Sequence, residues 1–112
     1  MKSTKIILLL IGIFLSKFSF AQMDTVRIKT SAICDQCKDR IEHDLSFEKG
    51  VKKAVLDLKT KEVMVVYNSK KTDVQKIREA ITKSGYDADS LVADPKSYRR
   101  LPDCCQKPSK KD

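Results

Sequence analysis

The chain has 112 residues, with 23 lysines and arginines against 15 aspartates and glutamates, and it carries four cysteines. This length allows one small folded domain and excludes two domains of ordinary size. The basic residues are spread along the chain and form no stripe interleaved with aromatic residues. The net charge of +8 therefore does not predict nucleic-acid binding. The sequence contains no glycine-rich phosphate loop and no Ser-His-Asp spacing, so it predicts no enzyme.

Residues 1–21 have the pattern of a secretory signal peptide. Lys2 and Lys5 give a positive start, residues 6–15 are apolar, and Ser19-Phe20-Ala21 ends in small residues suited to cleavage. The apolar run is only about ten residues long, which is short for a bilayer span. We therefore predict export with cleavage after Ala21 and no stable membrane insertion afterwards. The periplasm is the predicted destination, with full secretion and an uncleaved membrane anchor as alternatives.

The first half of the remaining chain predicts a strand, a helix and a hairpin. Apolar and polar residues alternate from Val26 to Thr30, which is typical of a half-buried strand. A helix is predicted from Asp35 to about Phe47, and Gly50 is placed as its stop. Strands are predicted at Val51–Leu58 and Glu62–Tyr67, joined by a tight polar connection into a hairpin. The buried face of the helix is predicted to carry Cys37, Ile41 and Leu45.

The second half predicts one more helix, one more strand and a tail. The helix is predicted over Thr72–Ser84, with Thr72 and Gln75 as a capping-box pair and Gly85 as the stop. A short last strand is predicted at Ala88–Val92. Residues 94–112 are polar and have no clear period, so they are predicted to form a flexible C-terminal tail that carries a Cys-Cys pair.

The order β-α-β-β-α-β predicts an α+β fold for residues 22–93. Two split βαβ units make a ferredoxin-like sandwich, in which a four-stranded antiparallel sheet has two helices on one face. In that fold the loop between the first strand and the first helix carries Cys34 and Cys37.

Cys34 and Cys37 are the predicted metal ligands. Two thiols at a helix start are favoured as thiolates by the helix dipole. A thiolate pair suits a soft ion of low coordination number, with Cu(I) as the leading choice and Hg(II) as another cargo for the same site. Zn(II) is a further alternative, although it prefers four ligands and this loop supplies two. A structural disulfide or a redox pair remains an alternative for the same two cysteines.

Cys104 and Cys105 form a second close pair, far from the first in sequence. They are candidates for additional metal ligands or for redox partners of the first pair, with an incidental disulfide in an unstructured tail as the alternative. Residues 98–102, just before this pair, have a pattern too short to decide whether they dock on the domain. His43 lies six positions after Cys37 on the predicted helix, so it is expected to point away from the loop.

Residues 24–92 resemble the heavy-metal-associated domain family. The family motif is Gly-Met-x-Cys-x-x-Cys, and the stretch Ser31-Ala32-Ile33-Cys34-Asp35-Gln36-Cys37 matches it in both cysteines but not in the glycine or the methionine. The resemblance implies the sandwich fold and a metal site at the two cysteines. It also implies that the aromatic residue after the second helix, Tyr86, lies close to the metal loop.

The predicted function is that of an exported Cu(I) chaperone or scavenger that passes metal by thiolate exchange. The resemblance implies a metal-transport partner, such as a copper-transporting ATPase or another exported metal-binding protein. Two alternatives remain. One is a thiol-disulfide redox or disulfide-bearing exported protein. The other is a docking module that keeps the fold without metal function.

Overall fold

The structure is a computed structural model that describes residues 22–107. The predicted signal peptide, residues 1–21, lies outside the described residues. The described elements, in chain order, are β1 (Met23–Lys29), α1 (Asp35–Ser46), β2 (Val51–Asp57), β3 (Glu62–Asn68), α2 (Val74–Lys83), α3 (Pro95–Arg99) and a short 3-10 turn (Asp103–Cys105).

Within residues 22–107 the sheet has three antiparallel strands in the order β1-β3-β2. The predicted hairpin is confirmed, since β2 and β3 pair with Ala54 opposite Val65. Along β3, Val63, Val65 and Tyr67 are buried and their neighbours are partly exposed, as the alternation predicts. One face of the sheet therefore carries the core.

Both main helices pack their apolar stripes into that core. In α1 the buried residues are Cys37, Ile41 and Leu45, which confirms the predicted face. In α2 they are Ile77 and Ile81. The cap of α2 differs from the prediction: the helix begins after Asp73, whose side chain accepts a hydrogen bond from the Lys76 backbone N–H at 2.9 Å. Thr72 is instead a buried residue that precedes the cap.

The predicted fourth strand, Ala88–Val92, is wrong. Ala88 forms isolated bridges with Thr30 and Leu91, and the chain turns back between Ala88 and Leu91. Asp89 has a positive φ of 52°, and its carboxylate accepts a hydrogen bond from the backbone N–H of Lys29 at 3.0 Å. The backbone N–H of Asp89 also donates to the Lys29 carbonyl at 2.8 Å, so the pairing with β1 is confined to Ala88 and Asp89 and the segment folds as a turn.

Residues 94–107 have regular structure where the sequence predicts flexibility. Asp94 caps α3 by accepting hydrogen bonds from the backbone N–H and the hydroxyl of Ser97. Leu101 is buried and belongs to the same core as the domain. It packs on Gly85, where an added Cβ would come within 3.0 Å of the Leu101 side chain. Residues 98–102 therefore dock on the domain, an outcome that the sequence alone left open.

Helices long and apolar enough to cross a bilayer are absent from the described part of the chain.

Candidate metal centre

The loop between β1 and α1 is held from both sides. The hydroxyl of Thr30 donates a hydrogen bond to the Lys61 carbonyl at 2.8 Å and accepts one from the Ala32 backbone N–H at 3.2 Å. Ala32 is fully buried in the core. The hydroxyl of Ser31 accepts a hydrogen bond from the Asp87 backbone N–H at 2.9 Å. The path of the chain into Cys34 is therefore fixed by the domain.

Cys34 is the N-cap residue of α1, and Cys37 lies one turn further along that helix. Their sulfurs are 3.1 Å apart. Cys37 is fully buried and faces the core, whereas Cys34 is partly exposed at the surface of the loop. The predicted pair therefore has one sheltered thiol and one that solvent or another thiol can reach.

The structure also brings the second cysteine pair to this loop. Cys34 Sγ lies 3.5 Å from Cys104 Sγ and 3.4 Å from Cys105 Sγ. The sulfurs of Cys104 and Cys105 are 3.9 Å apart. All four cysteines lie in the described part of the chain, and all four are free thiols. The four thiols form one cluster, and Cys34 is in contact with each of the other three.

Cys34 ionises more readily than the tail cysteines. Burial opposes its ionisation, but the thiol and backbone N–H of Cys37, together with the two tail thiols, lower the pKa of Cys34 to about 7. Burial, with further contributions from the neighbouring thiols, raises the pKa of Cys105. Contact with Cys34, and then burial, raises the pKa of Cys104. Cys34 is therefore the first of these three sulfurs to be available as a thiolate ligand.

Tyr86 lies beneath the cluster and is fully buried. Burial, and then the nearby thiols of Cys105 and Cys37, raise the pKa of its phenol. Within residues 22–107 its hydroxyl has no partner with hydrogen-bond geometry. An unpaired buried hydroxyl is costly unless a ligand state supplies an acceptor, and a metal-bound thiolate is such an acceptor.

The tail is anchored by a few contacts on either side of Cys105. Cys105 is buried, and Cys104 is exposed with its thiol 3.1 Å from the Gln36 side-chain oxygen. Further along, the backbone N–H of Lys107 donates to the Tyr98 hydroxyl at 2.7 Å. The ammonium group of Lys107 lies 2.6 Å from the Asp87 carboxylate. These contacts hold the tail thiols over the loop.

The structure thus places five of the sequence-predicted residues together: Cys34, Cys37, Tyr86, Cys104 and Cys105. His43 does not join them, since its side chain is 69% exposed and its ring lies against that of Phe47. The sequence reasoning missed Asp87, which binds both the loop and the tail. A signal for Asp87 was its position directly after Tyr86, where the chain passes the metal loop.

The fold and the thiol loop together define a small heavy-metal-binding domain. Residues 24–87 match the heavy-metal-associated domain, and the chain belongs to that family.

Copper proteins are prominent among its relatives. The copper chaperone CopZ of Staphylococcus haemolyticus is 37% identical over 54 residues, which are 48% of this chain and 79% of CopZ. A copper-exporting P-type ATPase of Staphylococcus aureus is 37% identical over 67 residues, which are 59% of this chain but only 8% of the ATPase. Among solved structures, oxidized MerP from Ralstonia metallidurans CH34 superposes with a TM-score of 0.58 at 26% identity, covering 61% of this chain and 96% of MerP.

Proposed function

We propose that this protein binds Cu(I) through Cys34 and Cys37 and either delivers or sequesters it by thiolate exchange. The observation that carries the proposal is the pair of sulfurs 3.1 Å apart at the start of α1, with one thiol buried and the other partly exposed. Soft thiolate ligands favour soft ions, of which Cu(I) is one, and two thiolates suffice for an ion of low coordination number. The partly exposed Cys34 gives an incoming thiolate access to the ion, so copper can be transferred directly to a partner protein without being released into solution.

The copper chaperone and copper ATPase relatives support Cu(I) as the cargo, and Hg(II) is a second soft ion that the same two sulfurs suit. The match to a small part of the ATPases favours a partner with a similar domain, such as a copper-transporting ATPase or another exported metal-binding protein. The proposed place of action is the periplasm, on the basis of the signal-peptide pattern in residues 1–21.

A thiol-redox function is the second candidate, and one observation favours it. A thiol whose pKa is lowered to about 7 reacts readily with disulfides near neutral pH, and Cys34 is such a thiol. The two functions make different demands on the oxidation state, because copper binding needs both sulfurs reduced. The oxidation state of the pair in the native compartment separates them.

The test is a Cu(I) titration of the fully reduced protein, without oxygen, against a chromophoric chelator. Tight binding is expected for the wild-type protein and should be lost in the Cys34→Ser/Cys37→Ser variant. Met23→Leu is a matched control, since it removes an exposed soft sulfur elsewhere in the domain. Circular dichroism shows whether the double variant keeps its fold. Tight binding that the folded double variant retains contradicts the proposal.

A further inference from the structure

The tail cysteines and Cys34 form a triangle of sulfurs suited to a metal ion. Its sides are 3.5, 3.4 and 3.9 Å, so its centre lies about 2.1 Å from each sulfur. An ion about 0.9 Å out of that plane would lie about 2.3 Å from all three sulfurs, a typical metal–thiolate bond length. The triangle is therefore already close to the dimensions of a three-thiolate site.

We propose that Cys34, Cys104 and Cys105 form a second Cu(I) site, which shares Cys34 with the Cys34/Cys37 pair. The ion can then pass between a two-thiolate site in the loop and a three-thiolate site closed by the tail. It remains bound to Cys34 throughout. This inference rests on the proposed function, because it takes the loop pair to be the first Cu(I) site.

The tail is built to hold its thiols in this position. Leu101 is buried against Gly85 on one side of the pair, and Lys107 is tied to Asp87 and Tyr98 on the other. Thiols held in place by a docked segment act at a high effective concentration, so they add affinity without a second binding event from solution. A tail that only covered the loop would not require both of its cysteines to contact Cys34.

Tyr86 is an independent sign of a ligand-bound state. Its buried hydroxyl is unpaired among the described residues and lies near Cys37, which belongs to the loop pair, and near Cys105, which belongs to the triangle. A hydrogen bond to a thiolate would satisfy the hydroxyl and stabilise the negative sulfur. Because it lies near one ligand of each site, the same hydroxyl can serve the ion in either position.

The exchange balances without any electron transfer. As the Cys105 sulfur binds the ion, its thiol proton goes to solvent. As the bond between copper and Cys37 breaks, the Cys37 thiolate takes up a proton. Cys104 adds as the third ligand in the same way, losing its proton to solvent. Copper stays Cu(I), and Cys34 stays bound as a thiolate. Cys104 is the exposed member of the triangle, so it is the ligand that an acceptor's thiolate would displace first.

The test compares coordination number and affinity in the reduced protein loaded with one Cu(I). X-ray absorption is expected to show three sulfur ligands in the wild-type protein and two in Cys104→Ser/Cys105→Ser. The affinity of that variant should fall on the order of a hundredfold, the range by which tethered ligands raise affinity. Cys37→Ser should keep three sulfur ligands, because the triangle remains whole. Asp103→Asn, an exposed change in the same turn, is the matched control.

Two further variants keep the outcome clear if loss of Cys105 disturbs packing. Cys104→Ser alone alters an exposed thiol and should still lower the coordination number. Leu101→Ala keeps every sulfur but loosens the tail, and it should weaken binding in the same direction. Unchanged coordination and affinity in Cys104→Ser/Cys105→Ser would overturn the second site while leaving the first intact. If the Cys34→Ser/Cys37→Ser variant still binds Cu(I) tightly, the proposed function itself is overturned.

Discussion

The two cysteine pairs are held in place by different parts of the structure. Cys34 and Cys37 lie at the junction of β1 and α1, where the sheet and the helical core fix the backbone. Cys104 and Cys105 lie on a segment held by the burial of Leu101 and Cys105 and by the contacts of Lys107 with Asp87 and Tyr98. Segments with few buried contacts open at lower free energy than the core they rest on. The cluster therefore has a fixed half and a half that can leave it.

The difference suits the proposed function, in which the protein both holds and releases an ion. A fixed pair keeps two ligands in place for exchange with a partner. A detachable pair can add ligands while the ion is stored and withdraw them for transfer.

The largest effect is expected from a cavity in the domain core. Ile81 is fully buried in α2, and Ile81→Ala should lower the free energy of unfolding by about 3 kcal/mol. Chemical denaturation followed by circular dichroism measures the loss. Val92→Ala, at a side chain that is 80% exposed, is the control and should change stability by less than about 0.5 kcal/mol. A loss no larger than that of a tail variant would remove the distinction between the two halves.

The next effect is expected in the tail. Leu101→Ala removes the main apolar anchor, and we expect it to cost about 2 kcal/mol, taken mostly from tail docking. In the reduced protein without metal, Cys105 should react faster with an alkylating reagent while Cys37 stays protected. Mass spectrometry of the labelled peptides separates the two thiols. Leu101→Met, which conserves volume, is the matched control. Equal gains in reactivity at both thiols would mean that tail and core open together.

Much of the fixed half could be predicted from the sequence because its signals are local. The alternation of Val63, Val65 and Tyr67, and the four-residue spacing of Cys37 and Ile41, depend on residues close together in the chain. The spacing of Cys34 and Cys37 likewise predicts a thiol pair at a helix start.

The rest depends on contacts that no local pattern contains. The turn that replaces the fourth strand is stabilised by Asp89 and Lys29, which are 60 positions apart. The contact of Cys34 with Cys104 spans 70 positions. In the tail, one buried leucine and one buried cysteine give docking without any period to detect. Sequence spacing identified the thiols, but the way they gather is a property of the packed chain.

A substitution at Tyr86 is expected to have a smaller effect, which stabilises the metal-free protein but weakens Cu(I) binding. Tyr86→Phe removes an unpaired buried hydroxyl, so the metal-free protein should gain about 1 kcal/mol of stability. The same change should lower Cu(I) affinity by about tenfold, because a charge-assisted hydrogen bond to a thiolate is lost. Chemical denaturation of the metal-free protein measures the change in stability, and competition with a chelator measures the change in Cu(I) affinity. A variant that is destabilised without metal would show that the hydroxyl already has a partner there.

The smallest effect concerns the ion pair that ties the tail to the domain. Burial raises the pKa of the Asp87 carboxyl, but the hydrogen bonds from Lys107 and from the Ala93 backbone N–H outweigh it and hold this pKa below its usual value. A carboxyl whose folded-state pKa is lowered stabilises the protein above its unfolded pKa of about 3.9, and that contribution is lost as the pH falls through the folded value. Asp87 is largely shielded, whereas Lys107 is more than half exposed, so solvent screening limits the contribution to about 0.5 kcal/mol.

Asp87→Asn keeps an oxygen that can accept from Ala93 but loses the charge that attracts Lys107. At pH 6 the wild-type protein without metal should therefore be more stable than the variant, and the gap should close as the pH falls below about 3.9 and through the lowered folded-state pKa. Urea unfolding of both proteins at each pH measures the difference, in which contributions from the other carboxylates largely cancel. Lys107→Met removes the same ion pair from the tail side and should give the same pH-dependent gap. A gap that is constant with pH, or no gap at all, would mean that the charge of Asp87 does not hold the tail. The tail would then be held over the thiols by the burial of Leu101 and Cys105.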